Sequence, residues 1–230
     1  MTETPRVPIR IPKPEPRLPT LNAILDADAA ARAGWPLVDL AEAYLEGGAR
    51  FLQVRAKQAS GAQLLELASA VVERAHAAGA IVVVNDRADI ARLAGADGVH
   101  VGQDDLPAPE VRRILGSRAI VGLSTHTPEE TASALDEPIT YLAIGPVFTT
   151  STKHTGHDAV GLDRVRHVAL EAGRRGIPVV AIGGVTLERA ADVIAAGAAS
   201  VAVIGDLLST GDPRARVRAY LERLNAAGKV

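Results

Sequence analysis

From Leu18 onward the chain alternates eight short aliphatic runs with longer stretches whose apolar residues recur at three- and four-residue steps. The runs predict strands at Thr20–Leu25, Phe51–Val54, Ile81–Val84, Gly98–Val101, Ala119–Leu123, Tyr141–Ile144, Pro178–Ile182 and Ser200–Ile204. Each is too short for a helix and is bounded by Gly, Pro or polar residues. Between them, Leu64, Leu65, Ala68, Val71 and Val72 define one apolar helical face, and Leu187–Ala196 and Arg214–Leu224 read the same way. Helix starts are marked by Pro36, by Pro107 ahead of Glu110 and by Thr127-Pro128. Helix ends are marked by Gly47-Gly48, Gly79, Gly95, Gly176 and Gly197. Eight strand–helix units in regular order predict one α/β domain, a closed parallel (β/α)8 TIM barrel. A doubly wound open sheet is the alternative, and it lacks the glycine fingerprint expected in an early βα turn.

Composition bears on what fills and surrounds such a barrel. Hydrophobic residues are 47% of the chain and aromatics only 3%, so Ala, Val, Leu and Ile must build the core. That mixture suits parallel strands buried on both faces. Lys and Arg total 25 against 27 Asp and Glu, a net charge of −2 that gives no electrostatic footprint for nucleic acid or an anionic membrane. Cys is absent, which excludes disulfides, thiolate metal sites and Cys nucleophiles. No apolar run reaches the roughly 18 residues of a membrane span. Residues 1–17 lack an apolar signal core and carry Pro5, Pro8, Pro12, Pro14 and Pro16 among charges. The expectation is a disordered Pro-rich tail over 1–17, a catalytic barrel over 18–230 and a cytoplasmic location.

In α/β barrels the reactive groups follow the strands, on the loops of one face. Arg55 and Lys57 follow the second run, Asn85 and Asp86 the third, Gln103, Asp104 and Asp105 the fourth. Ser124, Thr125 and His126 follow the fifth, and a long segment from Gly145 through Thr150 and Thr152 to Lys153 follows the sixth. Asp86 and Asp105, from separate strand ends, suit a shared hard cation such as Mg2+, which takes one or two carboxylates and fills its other positions with water and substrate phosphate. Arg55, Lys57 and Lys153 add positive charge, and Ser124, Thr150 and Thr152 add hydroxyl donors. Together they describe a pyrophosphate site. Gly183-Gly184 and Ile204-Gly205-Asp206 sit where barrels often bind phosphate through backbone N–H groups. The residues therefore predict two phosphate-bearing ligands in one cavity, one of them metal-bound.

Blander readings stand beside these. Gly183-Gly184 is also a tight turn, Arg55, Lys57 and Lys153 are also solvated loop cations, and Asp86 is also placed to cap the helix that follows it. Only one of Asp104 and Asp105 need point inward. The six His show no metal-ligand spacing. His76 and His167 read as surface residues and His100 as a hydrogen-bonded structural residue. His126, His154 and His157 are loop residues open to ligand contact. Trp35 reads as a packing anchor.

Six stretches, Leu52-Gln-Val-Arg-Ala-Lys57, Val84-Asn-Asp-Arg87, Gly95 through Asp105, Gly122-Leu-Ser124, Gly145-Pro-Val-Phe through Thr152-Lys153, and Ala181-Ile-Gly-Gly184, resemble in order the motifs of the thiamine-phosphate synthase family. The resemblance covers nearly all of the chain except the tail. It implies Mg2+-dependent joining of a pyrimidine pyrophosphate to a thiazole phosphate through a pyrimidinylmethyl cation. It implies that Arg55, Lys57, Asn85, Ser124, Thr150, Thr152 and Lys153 hold pyrophosphate, that Asp86 and Asp105 bind Mg2+, and that Gln53 meets the pyrimidine. Gly183, Gly184, Ile204 and Gly205 would take the thiazole phosphate. Three residues depart from the family pattern: Ala56 for an acidic residue, Thr149 for Pro and Gly205 for Ser. The alternatives are a thiazole tautomerase on the same barrel, which would not need the two aspartates, a non-catalytic binder of phosphate ligands, and a sugar-phosphate epimerase.

Overall fold

Strands that are apolar on both faces need a layer on each side, and closing the sheet supplies one of the two. The computed structural model, which describes residues 18–149 and 158–227, does this. Strands β1 (Leu21–Asp26), β2 (Phe51–Arg55), β3 (Ile81–Asn85), β4 (Gly98–Val101), β5 (Ile120–Thr125), β6 (Tyr141–Ile144), β7 (Val179–Ile182) and β8 (Ser200–Val203) pair in sequence order, all parallel. Strand β8 pairs with β1 and closes the barrel.

Helices α1 (Ala27–Arg32) and α2 (Leu37–Glu46) both follow β1. After β2, β3, β4, β5 and β6 come α3 (Gly61–Ala77), α4 (Ala88–Ala94), α5 (Ala108–Leu115), α6 (Pro128–Ala134) and α7 (Gly161–Gly173). Strand β7 leads to α8 (Leu187–Ala195), and β8 to a short 3-10 turn (Gly205–Leu208) and α9 (Pro213–Ala227). Local chemistry sets these limits. The Thr127 hydroxyl accepts from the Glu130 N–H ahead of Pro128 at the first position of α6. Ser60 and Gln63 form a reciprocal capping box at the start of α3. Gly95 ends α4 at φ 71°, a left-handed conformation that costs residues with a Cβ more than it costs Gly.

All eight predicted strands are present, and the ends differ by at most two residues. The predicted runs of β1, β2, β3 and β5 stop at the last aliphatic residue, whereas the ladder continues through Asp26, Arg55, Asn85 and Thr125. Asp26, Arg55 and Asn85 extend their strands toward the barrel mouth, while Thr125 faces outward, where its hydroxyl donates to the Ala143 carbonyl and meets Thr131 of α6. Ile204 falls outside β8, since its backbone (φ −116°, ψ −84°) has left the extended region.

Side-chain alternation divides the apolar residues into two cores. Ala23, Leu25, Leu52, Val54, Val82, Val84, Val99, Leu142, Val201 and Val203 point outward and pack under the helices. Ile24, Phe51, Val83, Tyr141, Ala143, Val180 and Ala202 form a separate cluster that fills the barrel. Phe51 and Tyr141 meet there edge to face, with ring centroids 5.9 Å apart. Trp35 packs against the outer core, as expected of an anchor. Among the described residues no helix is long and apolar enough to cross a membrane.

Candidate active site

Parallel pairing carries one inward set of side chains around the barrel. Asp26 is level with Arg55 across β1 and β2, while Asn85, His100, Gly122 and Tyr141 are level across β3, β4, β5 and β6. The upper inward positions of β1 to β5 are polar: Asp26, Gln53, Arg55, Asn85, His100 and Ser124. Gln53, Asn85 and His100 are buried, so this is a lined cavity floor and not a solvated rim.

Beyond the strand ends, Lys57, Asp86 and Asp105 converge. Lys57 Nζ lies 3.1 Å from Asp86 Oδ2. Asp86 has a backbone φ of 65°, and its N–H donates to the His100 carbonyl at 2.7 Å. The capping residue of α4 is Arg87, so Asp86 does not cap that helix, and its unusual backbone turns its side chain to another use. Asp105 accepts from the Gly102 N–H at 2.7 Å and faces Asp86, whereas Asp104 is exposed. Burial, then the hydrogen bond and the charge of Asp105, push the Asp86 carboxyl above its ordinary value, and Lys57 opposes the shift. Two carboxyls brought into contact with one cation beside them repel each other unless more positive charge arrives.

Ser124 is held from two sides. Its carbonyl accepts from Gln103 Nε2 at 2.6 Å, and its hydroxyl lies 2.8 Å from His100 Nε2. His100 Nδ1 is 2.9 Å from the Tyr141 hydroxyl, which bears out the hydrogen-bonded reading of this histidine. His126 turns to its own helix, where its N–H and its ring meet Glu130. His76 and His167 are on the surface, as expected.

Among the described residues, the opposite side of the mouth presents backbone at its turns. Gly183 and Gly184 have φ of 98° and 63°. A Cβ on Gly183 would stand 2.5 Å from Pro146, and one on Gly184 would stand 2.7 Å from the Thr149 carbonyl oxygen. The turn is therefore sealed under the start of the β6 loop, with the Phe148 N–H donating to the Gly183 carbonyl at 3.0 Å. Arg189 covers the Phe148 ring at 4.7 Å and also donates to the Gly184 carbonyl. Ile204 and Gly205 adjoin on the β8 side. Asp206 turns away from the mouth. It accepts from the first amide of α8 (Leu187), from the Arg216 guanidinium and from the Tyr220 hydroxyl. The start of α8 is therefore already served by a carboxylate. This narrows the expected anion site to the Gly183-Gly184 and Ile204-Gly205 turns.

Thr150, Thr152, Lys153, His154 and His157 lie outside the described residues, as does the whole of 1–17. Asp26 is a residue the sequence reading missed. It is buried, caps α1 through the Ala29 N–H, and forms an ion pair with Arg55. Arg55 Nε is buried with no hydrogen-bond partner among the described residues. The available signal was an acidic residue closing the first aliphatic run, at the same strand end where the second to fifth runs carried polar groups. Tyr141 was missed as well, because its partners come from other strands.

Comparison with known proteins agrees with the barrel fold. The model of the thiamine monophosphate synthase family matches residues 21–207. A thiamine-phosphate synthase of Koribacter versatilis is 43% identical over 91% of this chain and 98% of its own length. A bifunctional thiamine biosynthesis protein of Symbiobacterium thermophilum is 42% identical over 96% of this chain, which spans 46% of that longer protein. The solved thiamine phosphate pyrophosphorylase of Pyrococcus furiosus superposes with a TM-score of 0.81 at 29% identity, covering 90% of this chain and 96% of that one. A family match across almost the entire barrel, and relatives that align along nearly their full length, show that the chain belongs to the thiamine monophosphate synthase family.

Proposed function

We propose that the polar side of this mouth holds a pyrophosphate leaving group with a divalent cation, and that the glycine turns opposite hold the phosphate of the acceptor. That the chain is a thiamine-phosphate synthase, a transferase of thiamine biosynthesis, follows from its family. The division of labour among its residues is the proposal. The observation that carries it is the convergence of Lys57, Asp86 and Asp105 from three successive strand ends.

In the reaction, the C–O bond of hydroxymethylpyrimidine pyrophosphate breaks and pyrophosphate leaves with the electron pair. The nitrogen lone pair of hydroxyethylthiazole phosphate then forms the N–C bond to the pyrimidinylmethyl cation. Negative charge grows on the departing pyrophosphate, so preorganised cations and donors favour the transition state over the bound substrate. Arg55 and Lys57 supply positive charge, and Ser124 and Asn85 supply hydrogen bonds. Thr150, Thr152 and Lys153 complete this set by resemblance. Gln53, buried in the floor, orients the pyrimidine. Gly183, Gly184, Ile204 and Gly205 present backbone to the thiazole phosphate.

The donor set fits Mg2+. Two hard carboxylates in contact, with no third acidic or His ligand clustered beside them among the described residues, leave positions for water and phosphate oxygens. When bound, the cation supplies countercharge to the pyrophosphate. Lys57, now beside Asp86, is then free to turn toward the leaving group. The contact of Asp86 with Asp105 supports the synthase over the tautomerase, which has no use for it. Residues 18–230 form the catalytic barrel in this reading, and the enzyme works in the cytoplasm on small soluble substrates.

The test is to incubate the purified chain with both substrates in Mg2+ or in EDTA and to follow thiamine phosphate and pyrophosphate together. Equal, Mg2+-dependent formation of both is the expected result. Product formation at the same rate in EDTA would remove the metal site, and thiazole isomerisation without condensation would replace the reaction.

A further inference from the structure

Beneath Ser124 a chain of polar groups crosses three strands. His100, Gly122 and Tyr141 are level on β4, β5 and β6. The Tyr141 ring lies where a Cβ on Gly122 would be, so the missing side chain lets the ring pass over β5 and reach His100. The two rings stack with centroids 5.6 Å apart and planes 14° from parallel. Ser124, two residues past Gly122, points to the same face and meets the far nitrogen of His100.

Proton bookkeeping gives this chain a direction. Tyr141 is completely buried, and burial pushes its phenol far above the ordinary value, so it keeps its proton. The acceptor it has for that proton is His100 Nδ1, at 2.9 Å. A nitrogen that accepts carries no hydrogen, so the neutral ring holds its proton on Nε2. That proton faces the Ser124 oxygen at 2.8 Å. A hydroxyl whose lone pair is already occupied by a donor has its own proton left to give. The reverse arrangement, with the proton on Nδ1, takes from the buried Tyr141 O–H the acceptor it has among the described residues, which costs the desolvation of an unpaired donor.

We propose that Tyr141 and His100 are positioning residues that fix Ser124 as a hydrogen-bond donor into the mouth, by a relay running Tyr141 O–H to His100 Nδ1 and His100 Nε2–H to Ser124 Oγ. The catalytic half of this rests on the reading that Ser124 meets the leaving pyrophosphate. Tyr141 and His100 act on that group only through Ser124 in this proposal. They set which partner in the Ser124 hydrogen bond is the donor, and a donor is what growing negative charge needs.

The test uses the full chain labelled with 15N-histidine, in long-range 1H–15N correlation spectra, with the six His distinguished by the signal lost in His100→Gln. We expect His100 in the wild type as one neutral tautomer, protonated on Nε2, with Nδ1 shifted as a hydrogen-bond acceptor. Tyr141→Phe, which keeps the ring, should move the Nδ1 resonance toward that of a nitrogen accepting no bond. It should lower kcat about tenfold, the worth of one well-made hydrogen bond, with less change in KM. Because the effect runs through Ser124, the double variant Tyr141→Phe/Ser124→Ala should turn over like Ser124→Ala alone.

A proton on Nδ1 in the wild type, or an unmoved Nδ1 in Tyr141→Phe, overturns the relay, and the wild-type spectrum decides this even if a variant fails to fold. Losses that multiply in the double variant overturn the route through Ser124 and leave Tyr141 a packing residue. Wild-type turnover in Ser124→Ala, with the Nε2 tautomer present, overturns the catalytic half through its premise and shows that the Ser124 assignment failed, not the relay.

Discussion

The two sides of the barrel mouth are built by different means. From β1 to β5 the cavity is built of charged and hydrogen-bonding side chains: Asp26 with Arg55, Lys57 with Asp86 and Asp105, and His100 with Ser124. From β6 to β8, among the described residues, the charged side chains Asp206 and Arg189 are committed to partners within the protein. Asp206 serves the start of α8, Arg189 covers Phe148, and bare glycine backbone remains at Gly183-Gly184. The difference matches the chemistry proposed for each side. A leaving group gains charge during the reaction and needs strong, adjustable countercharge. An acceptor phosphate keeps its charge and needs only to be placed, which fixed amides do at little entropic cost.

The largest expected effect comes from breaking the charged side. Asp105→Ala should lower kcat by about 100-fold or more, since the preorganised charge at the leaving group is lost. It should also flatten the Mg2+ dependence, read by titrating the metal at saturating substrates. Near-normal kcat with an unchanged metal titration would take the cation away from this side of the mouth.

That contrast also governs how much was legible beforehand. The barrel could be read because eight aliphatic runs alternate with amphipathic ones, and local patterning alone determines such units. The charged side could be read because ionisable residues at strand ends are conspicuous, and Arg55, Lys57, Asn85, Asp86, Asp105 and Ser124 do gather at one end. Asp26 escaped because the first strand was ended one residue early, at its last apolar residue. Tyr141 escaped because an aromatic at the start of an aliphatic run looks like core, which it also is. Only the register across β4, β5 and β6 reveals that its hydroxyl reaches His100. On the backbone side, two glycines showed that a turn was there. That α8 is served by Asp206 depends on contacts 19 residues apart in sequence, which no local pattern carries.

A smaller effect should come from the backbone side. Gly184→Ala places a Cβ 2.7 Å from the Thr149 carbonyl oxygen and 2.8 Å from Phe148 Cβ, at a φ of 63°. The turn must shift, at a strain of about 1–3 kcal/mol. Initial rates should show KM for the thiazole phosphate raised about tenfold, with KM for the pyrimidine pyrophosphate little changed. Equal increases in both would mean that the two sides are not separate subsites.

The mildest perturbation sharpens the charged side by changing one atom. Asp86 is an acid whose folded form holds its proton more tightly than the ordinary value of 3.8, because burial and then Asp105 disfavour the carboxylate more than Lys57 favours it. The folded state therefore binds more protons than the unfolded chain as pH rises from about 3.8 through the raised value, and stability falls across that window. Above it the cost is fully present. In EDTA at pH 7, Asp86→Asn should accordingly melt above the wild type, and the gap should close as the pH falls toward 3.8. Saturating Mg2+ should reverse the order, since a ligand that binds only the folded wild-type site raises its midpoint and leaves the variant's unmoved. A variant that melts below the wild type in EDTA would mean that Lys57 already balances the two carboxylates. The charged side would then be a finished ion-pair network with no electrostatic need for a cation, and its difference from the glycine side would be one of stability and not of chemistry.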